Sequence, residues 1–295
     1  MIALAVPARA ETAQPPSITL LTMGPGDQAF SKFGHIAIWV RDPESQREEV
    51  FNYGTFRFDS PWLILDFLKG NLRYWLSVDT PAHTLAVYRR ERRTVLAQEL
   101  ALGPEESRAL LAFLRNNALP ENRYYRYDYY YDNCSTRIRD VLDRASHGAI
   151  RAAGQAMVGR SVIADAPGRL TFRGHTARLV AENFPLYAAL DIVMGPLIDQ
   201  PITQWEETFL PAELARLARK AEVPTLSGPV PLVTREYEVV TSDRPLPRDT
   251  PPRWAWRFGA VGAAAAAIMA TLAAIRSRAT RALFAVFAAV SGLVC

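Results

Sequence analysis

Cysteine is nearly absent from the 295 residues: only Cys134 and Cys295 occur, and Cys134 alone lies outside the apolar C-terminal tail. The domain between the two ends therefore has no internal disulfide to staple it. There is no His-Glu-x-x-His, no cysteine cluster and no calcium-loop spacing of acids, so a metal centre is not expected. Gly24-Pro25-Gly26-Asp27 is a turn, neither a phosphate loop nor a dinucleotide fingerprint, and no Gly-x-Ser-x-Gly elbow is present. No cofactor is expected. Basic surplus is lacking too: the net +4 is carried by Arg9, Arg276, Arg278 and Arg281, which leaves residues 11–257 neutral and gives no nucleic-acid footprint. With 22% charged and 10% aromatic residues, the chain has the composition of a folded protein.

The two ends carry the compartment signals. Ala8-Arg9-Ala10 follows a short apolar run and matches the small-residue cleavage pattern of export, so residues 1–10 read as the remnant of a signal peptide. From Phe258 to Ile275 there is no charge; Trp254 and Trp256 precede this run, and Arg276, Arg278 and Arg281 follow it. An interfacial aromatic pair followed by arginines is what a membrane-crossing helix with a cytoplasmic exit requires. A transmembrane helix is expected over residues 254–276. Residues 282–295 read as the start of a second, truncated one. Residues 221–253, with seven prolines around a candidate strand Val230–Val240, read as an ordered juxtamembrane segment.

Between the ends the pattern is mixed α+β, with a main domain over residues 11–220. Ile18–Met23 reads as a buried strand, and Phe33–Val40 and Val50–Gly54 as a hairpin. Leu72–Val78 and Leu85–Arg90 have strand composition. Helices are expected at Ser60–Leu68, Pro104–Asn116, after Cys134 and at Ala212–Lys220. Tyr124–Tyr131 reads as extended.

Cys134 stands where that extended stretch enters a helix, with Asp132 and Asn133 as candidate caps. Backbone N–H groups and the helix dipole at such a point favour thiolate over thiol and can hold an oxyanion. The base for such a nucleophile is His35, aimed from a strongly patterned strand. Asn52, on the paired strand, is the candidate to orient the imidazole, because Tyr53 points to the other face. His83, His147 and His175 lie in loop-like or polar surroundings. Tyr127 and Tyr131 either pack or line a pocket. Arg89–Arg93 reads as a solvated strand end, with anionic lipid headgroups as the ligand if it binds one.

Phe33-Gly34-His35-Ile36-Ala37, Asn52-Tyr53-Gly54, Tyr127-Asp128 and Asp132-Asn133-Cys134-Ser135-Thr136-Arg137-Ile138-Arg139-Asp140 together resemble the Lnb-type N-terminal periplasmic domain of thiol-class bacterial lipoprotein N-acyltransferases. Gly195–Pro201 and Glu206–Pro211 resemble its downstream pattern, so the likeness covers roughly residues 18–215. It implies a circularly permuted papain-like (NlpC-like) fold, with a small antiparallel sheet packed on helices and membrane helices after it. It implies acyl transfer through a Cys134 thioester, with a phospholipid donor and the N-terminal amine of a diacylglyceryl-cysteine lipoprotein as acceptor. The setting implied is the bacterial inner membrane, with the domain in the periplasm. Asn133, Tyr53, Arg137 and Asp199 then join Tyr127 and Tyr131 as candidate substrate contacts, a salt bridge being the alternative for Arg137 and Asp199. Two other readings stand beside this one: a cell-wall cysteine peptidase or amidase, and a non-catalytic membrane-anchored binding domain.

Overall fold

A computed structural model describes residues 14–56, 73–156 and 170–274, with four further positions in the tail. The expected signal remnant, the helix at Ser60–Leu68 and most of the second membrane segment lie outside the described residues. The chain divides into two compact units, residues 1–169 with 202–246 and residues 170–201 with 247–295.

Among the described residues the first unit is built on an antiparallel sheet of seven strands, wider than the small sheet expected. Its strands are β1 (Ser17–Met23), β2 (His35–Asp42), β3 (Arg47–Thr55), β4 (Arg73–Asp79), β5 (Val95–Leu100), β6 (Tyr124–Arg126) and β9 (Val233–Val240), in the order β6-β4-β3-β2-β1-β5-β9. Two short strands, β7 (Glu222–Val223) and β8 (Val230–Pro231), pair separately. Strand β9 comes from the stretch read as a juxtamembrane segment and forms an edge of the sheet. The β2–β3 hairpin is present as expected, with Ile38 opposite Phe51.

Alternation sorts the side chains into two cores. Ile18, Leu20, Ile36, Ile38, Phe51 and Tyr53 face helices α2 (Pro104–Asn117), α3 (Cys134–Ala145) and α8 (Pro211–Lys220), which contribute Leu114, Ile138, Leu142 and Leu214. On the other face Leu21, Met23, Ala37, Val50 and Val95 meet Leu85 of α1 (Pro81–Arg90). Leu85–Arg90 is thus helical, which corrects the strand reading. Thr80 accepts from the His83 N–H as N-cap, Pro81 opens the first turn, and Thr84 and Leu85 turn inward at helical spacing. Short helices α4 (Ala149–Ala156) and α7 (Gln204–Glu207) complete the unit.

The second unit holds α5 (Phe172–Leu179), α6 (Phe184–Val193), a 3-10 turn at Pro196–Asp199, and α9 (Ala255–Ala274). Thr171 and Asn183 cap α5 and α6 by accepting from Gly174 and Leu186 N–H groups. Ala255–Leu272 is long and apolar enough to cross a membrane, with mean hydropathy 1.4 and none of that window buried.

Candidate functional site

Three elements converge at one end of the sheet. Gly34 enters β2 at φ +80°, where a Cβ would stand 2.8 Å from the Met23 carbonyl oxygen, so glycine alone lets the chain turn in and present His35 as the strand's first residue. On β3 the ladder slips between Asn52 and Thr55, and Gly54 sits at φ +84°. A Cβ on Gly54 would lie 3.2 Å from the Cβ of Cys134, so the missing side chain is what lets the head of α3 approach.

That helix head is fixed by Asn133. Its Oδ1 accepts from Ser135 N–H at 2.8 Å and Thr136 N–H at 2.9 Å, while its Nδ2 donates to the carbonyls of Tyr129 and Phe209. Thr136 Oγ1 accepts from the Asn133 N–H in return, closing a capping box. Every polar atom of this buried side chain is engaged in holding the helix. Ser135 adds a hydrogen bond from its hydroxyl to the Thr208 carbonyl at 2.6 Å.

Cys134 is half-buried and unbonded to any other cysteine among the described residues. The backbone N–H groups of Ile36, Ser135 and Cys134 itself favour its thiolate. His35 is also half-buried, and its Nε2 stands 3.4 Å from Asn52 Oδ1, while Asn52 Nδ2 donates to the Val50 carbonyl. Asn52, the residue expected to orient the ring, thus lies within hydrogen-bond distance of it. Among the described residues no hydrogen bond joins the sulfur to the ring; Ile36, the residue after His35, favours the thiolate through its backbone N–H.

The electrostatics reverse one expectation. Burial pushes the Cys134 thiol up to about 11, outweighing the three N–H groups and the Arg93 charge that pull it down. Burial and Arg93 hold His35 down to about 4, against the hydrogen bond with Asn52, which raises it. At neutral pH the resting pair is a thiol and an imidazole, both uncharged. The helix head does favour thiolate, as local reasoning requires, but the cost of a charge in that environment is larger.

Arg93 is the residue that sequence reasoning missed. It is 5% exposed, stacks its guanidinium 4.8 Å from the Tyr88 ring centre, and donates from Nε to the Gly24 carbonyl and from Nη1 to Glu91. Its Nη2 is buried with no hydrogen-bond partner among the described residues. Met23 pairs with both His35 and Val95, which brings the chain just before β5 to the end of the sheet where β2 begins. The signal was available: stepping the alternation of buried Val95 and Ala97 back by two places puts Arg93 on the inward face.

The remaining candidates divide. Tyr127 stacks on Tyr74 at 4.0 Å; burial, and then the nearness of Cys134, raise its phenol well above the usual range. Tyr131 is 63% exposed, in the tight turn where Asp128 Oδ1 accepts from the N–H groups of Tyr130 and Tyr131. Tyr53 is buried and donates its hydroxyl to Asn117 Oδ1 at 2.9 Å. Arg137 makes a two-pronged pair with Asp132 and lies 3.7 Å over the Tyr125 ring. Asp199 belongs to the second unit, where it binds Arg173. In these last three the polar groups are engaged by protein partners.

A cysteine at a capped helix head against a glycine of β3, with a histidine and an asparagine paired on adjacent strands, on an α+β unit followed by a candidate membrane helix, defines a class of thiol-bearing domain. The model of the Lnb N-terminal periplasmic domain matches residues 6–165, and the chain belongs to that family. No curated protein and no solved structure matches it. The family and the single candidate span among the described residues indicate a membrane-associated protein with a periplasmic domain.

Proposed function

We propose that this is a membrane-anchored cysteine acyltransferase of circularly permuted papain-like type, in which Cys134 is the nucleophile, His35 the proton carrier and Asn52 the orienting group. The observation that carries it is Cys134 at the head of the capped helix α3, against Gly54 of β3, the strand whose Asn52 stands 3.4 Å from the His35 ring. In the permuted arrangement the histidine strand precedes the cysteine helix, as it does here.

The chemistry follows from two neutral partners. His35 takes the Sγ proton as sulfur attacks the ester carbonyl of a phospholipid; the S–C bond forms and the carbonyl electrons move onto oxygen. Backbone N–H groups at the helix head are suited to hold that oxyanion. Collapse breaks the ester C–O bond, and His35 returns the proton to the leaving alkoxide, giving a lysophospholipid and an acyl-Cys134 thioester. The N-terminal amine of a diacylglyceryl-cysteine lipoprotein then attacks the thioester. A C–N bond forms, the S–C bond breaks, and the amine's proton passes through His35 to the thiolate. Donor, acceptor and inner-membrane setting are part of this proposal. A membrane anchor supports a lipid donor because it confines the thiol to the surface where acyl esters are concentrated.

Intact-mass measurement of the full chain incubated with phospholipid tests the reading. The expected result is a fatty-acyl increment that hydroxylamine removes and that Cys134→Ala lacks. No increment together with cleavage of cell-wall muropeptides would replace transfer with hydrolysis. No covalent adduct under either condition would leave a binding domain.

A further inference from the structure

We infer that α6 and the 3-10 turn after it are a second membrane contact, lying in the interfacial layer of the bilayer that α9 enters. This goes beyond the proposed reaction and does not depend on Cys134. The first observation is an apolar helix with no interior to serve. Phe184–Val193 has one charge, Asp191, and no buried residue, while Ile192, Val193 and Leu197 are 57%, 66% and 87% exposed. At ten residues it reaches about 15 Å, half of a hydrocarbon core, so it cannot cross and must lie along the surface.

The second observation is how its polar groups are treated. Arg173 donates from Nη1 to Asp191 at 2.9 Å and from Nε to Asp199 at 2.5 Å, neutralising charge on both sides of the turn. Its Nη2 donates to the carbonyls of Met194 and Gly195 at 2.8 and 3.1 Å, at the end of the helix where carbonyls lose their helical partners. Water would satisfy these groups at no structural expense. Gathering them onto one guanidinium suits the edge of a bilayer, where water is scarcer and an unsatisfied backbone group is costly.

The third is continuity with the candidate span. Phe184 and Tyr187 pack on Trp254 at 5.3 and 5.0 Å and on Phe258 at 5.6 and 5.8 Å. Arg257 lies over the rings of Phe184, Trp254 and Trp256. Trp and Arg at the head of an apolar helix mark the headgroup level, and α6 is tied to that level by its aromatic side chains. The occupant of the exposed apolar face is therefore the bilayer surface.

The test uses the full chain with Cys134→Ser and Cys295→Ser, carrying Ile192→Cys or Leu197→Cys labelled with an environment-sensitive fluorophore. It is reconstituted in phosphatidylcholine–phosphatidylglycerol vesicles doped with nitroxide lipids. Leu226→Cys, at a fully exposed position of the first unit, is the reference. The expected result is blue-shifted emission at both sites, with about two-fold quenching by nitroxide placed near the headgroup and less by nitroxide at the chain end. Polar, unquenched emission overturns the inference. Blue-shifted emission without quenching also overturns it, since the face is then covered by protein. Stronger quenching from the chain end means deep insertion and overturns the interfacial placement.

Discussion

The neutrality of the thiol can be read directly from its alkylation. With the Cys134 thiol held at about 11, roughly one molecule in ten thousand carries a thiolate at pH 7, against about three in a hundred for an ordinary cysteine near 8.5. On thiolate fraction alone, iodoacetamide should react about 300-fold more slowly than with a free cysteine. A more basic thiolate is also a better nucleophile, and a Brønsted slope of about 0.4–0.5 returns a factor of about 10–20. The net expectation is a rate about 20-fold below free cysteine at pH 7, before any steric hindrance, rising close to ten-fold per pH unit up to about pH 10. Peptide mapping assigns the adduct to Cys134 rather than Cys295. A thiolate–imidazolium pair gives a different curve, flat and fast between about pH 5 and 8, because the thiolate already exists there. That plateau would refute the argument that burial outweighs the helix head.

His35 gives a stability counterpart. Its folded value of about 4 lies below the ordinary 6.5, so the folded state binds fewer protons in between, and stability is full above 6.5 and lost as pH falls through 4. The unfolding free energy from denaturant titration should drop between pH 6.5 and 4 by at most about 3.4 kcal/mol, and His35→Gln should flatten that slope. Asn133→Ala removes the cap from two N–H groups and the donor from two carbonyls, one of them buried, and is expected to cost about 2–4 kcal/mol in urea unfolding. Arg93→Met should slow alkylation of Cys134 at pH 8 about three- to ten-fold by removing a nearby cation, with Arg93→Lys recovering part of the rate. An unchanged alkylation rate in both Arg93 variants would limit that residue to packing.

What the sequence disclosed and what it hid follow the range of the forces involved. Cys134 at the helix head and Asn52 on the strand paired with that of His35 were readable because capping and strand alternation act within a few residues. The same local rules apply at Thr80-Pro81, yet the alternation of Leu85 and Val87 masked the helix, whose inward residues are Thr84 and Leu85. Prolines around Val233–Val240 suggested a spacer, although an edge strand tolerates them at its flanks and pairs with β5. Arg93 was hidden by its charged neighbours. A run of arginines reads as solvated until tertiary structure turns one member inward over Tyr88. The charge state of the thiol was least legible, because it is decided by how much of the fold closes over the sulfur.

A neutral resting pair also fits the surroundings in which the proposed reaction takes place. A preformed ion pair at a site with little water would have to be held at a desolvation cost of several kcal/mol per ion. Two neutral groups avoid that cost, and the charge then arises only as sulfur engages a carbonyl and becomes an oxyanion facing backbone N–H groups. Arg93 acts on both partners in the useful direction: it makes imidazolium less favourable at rest and negative charge on sulfur more favourable during attack. Its Nη2, without a hydrogen-bond partner among the described residues, is consistent with a cation kept in place for its field, at the expense of one hydrogen bond. An arrangement that delays ionisation until an acyl carbonyl arrives also limits idle oxidation, because thiols oxidise through the thiolate, and Cys134 has no disulfide partner among the described residues. Peroxide should therefore convert Cys134 to the sulfenic acid more slowly than it converts free cysteine at pH 7, and faster oxidation would contradict the neutral state by a route independent of alkylation.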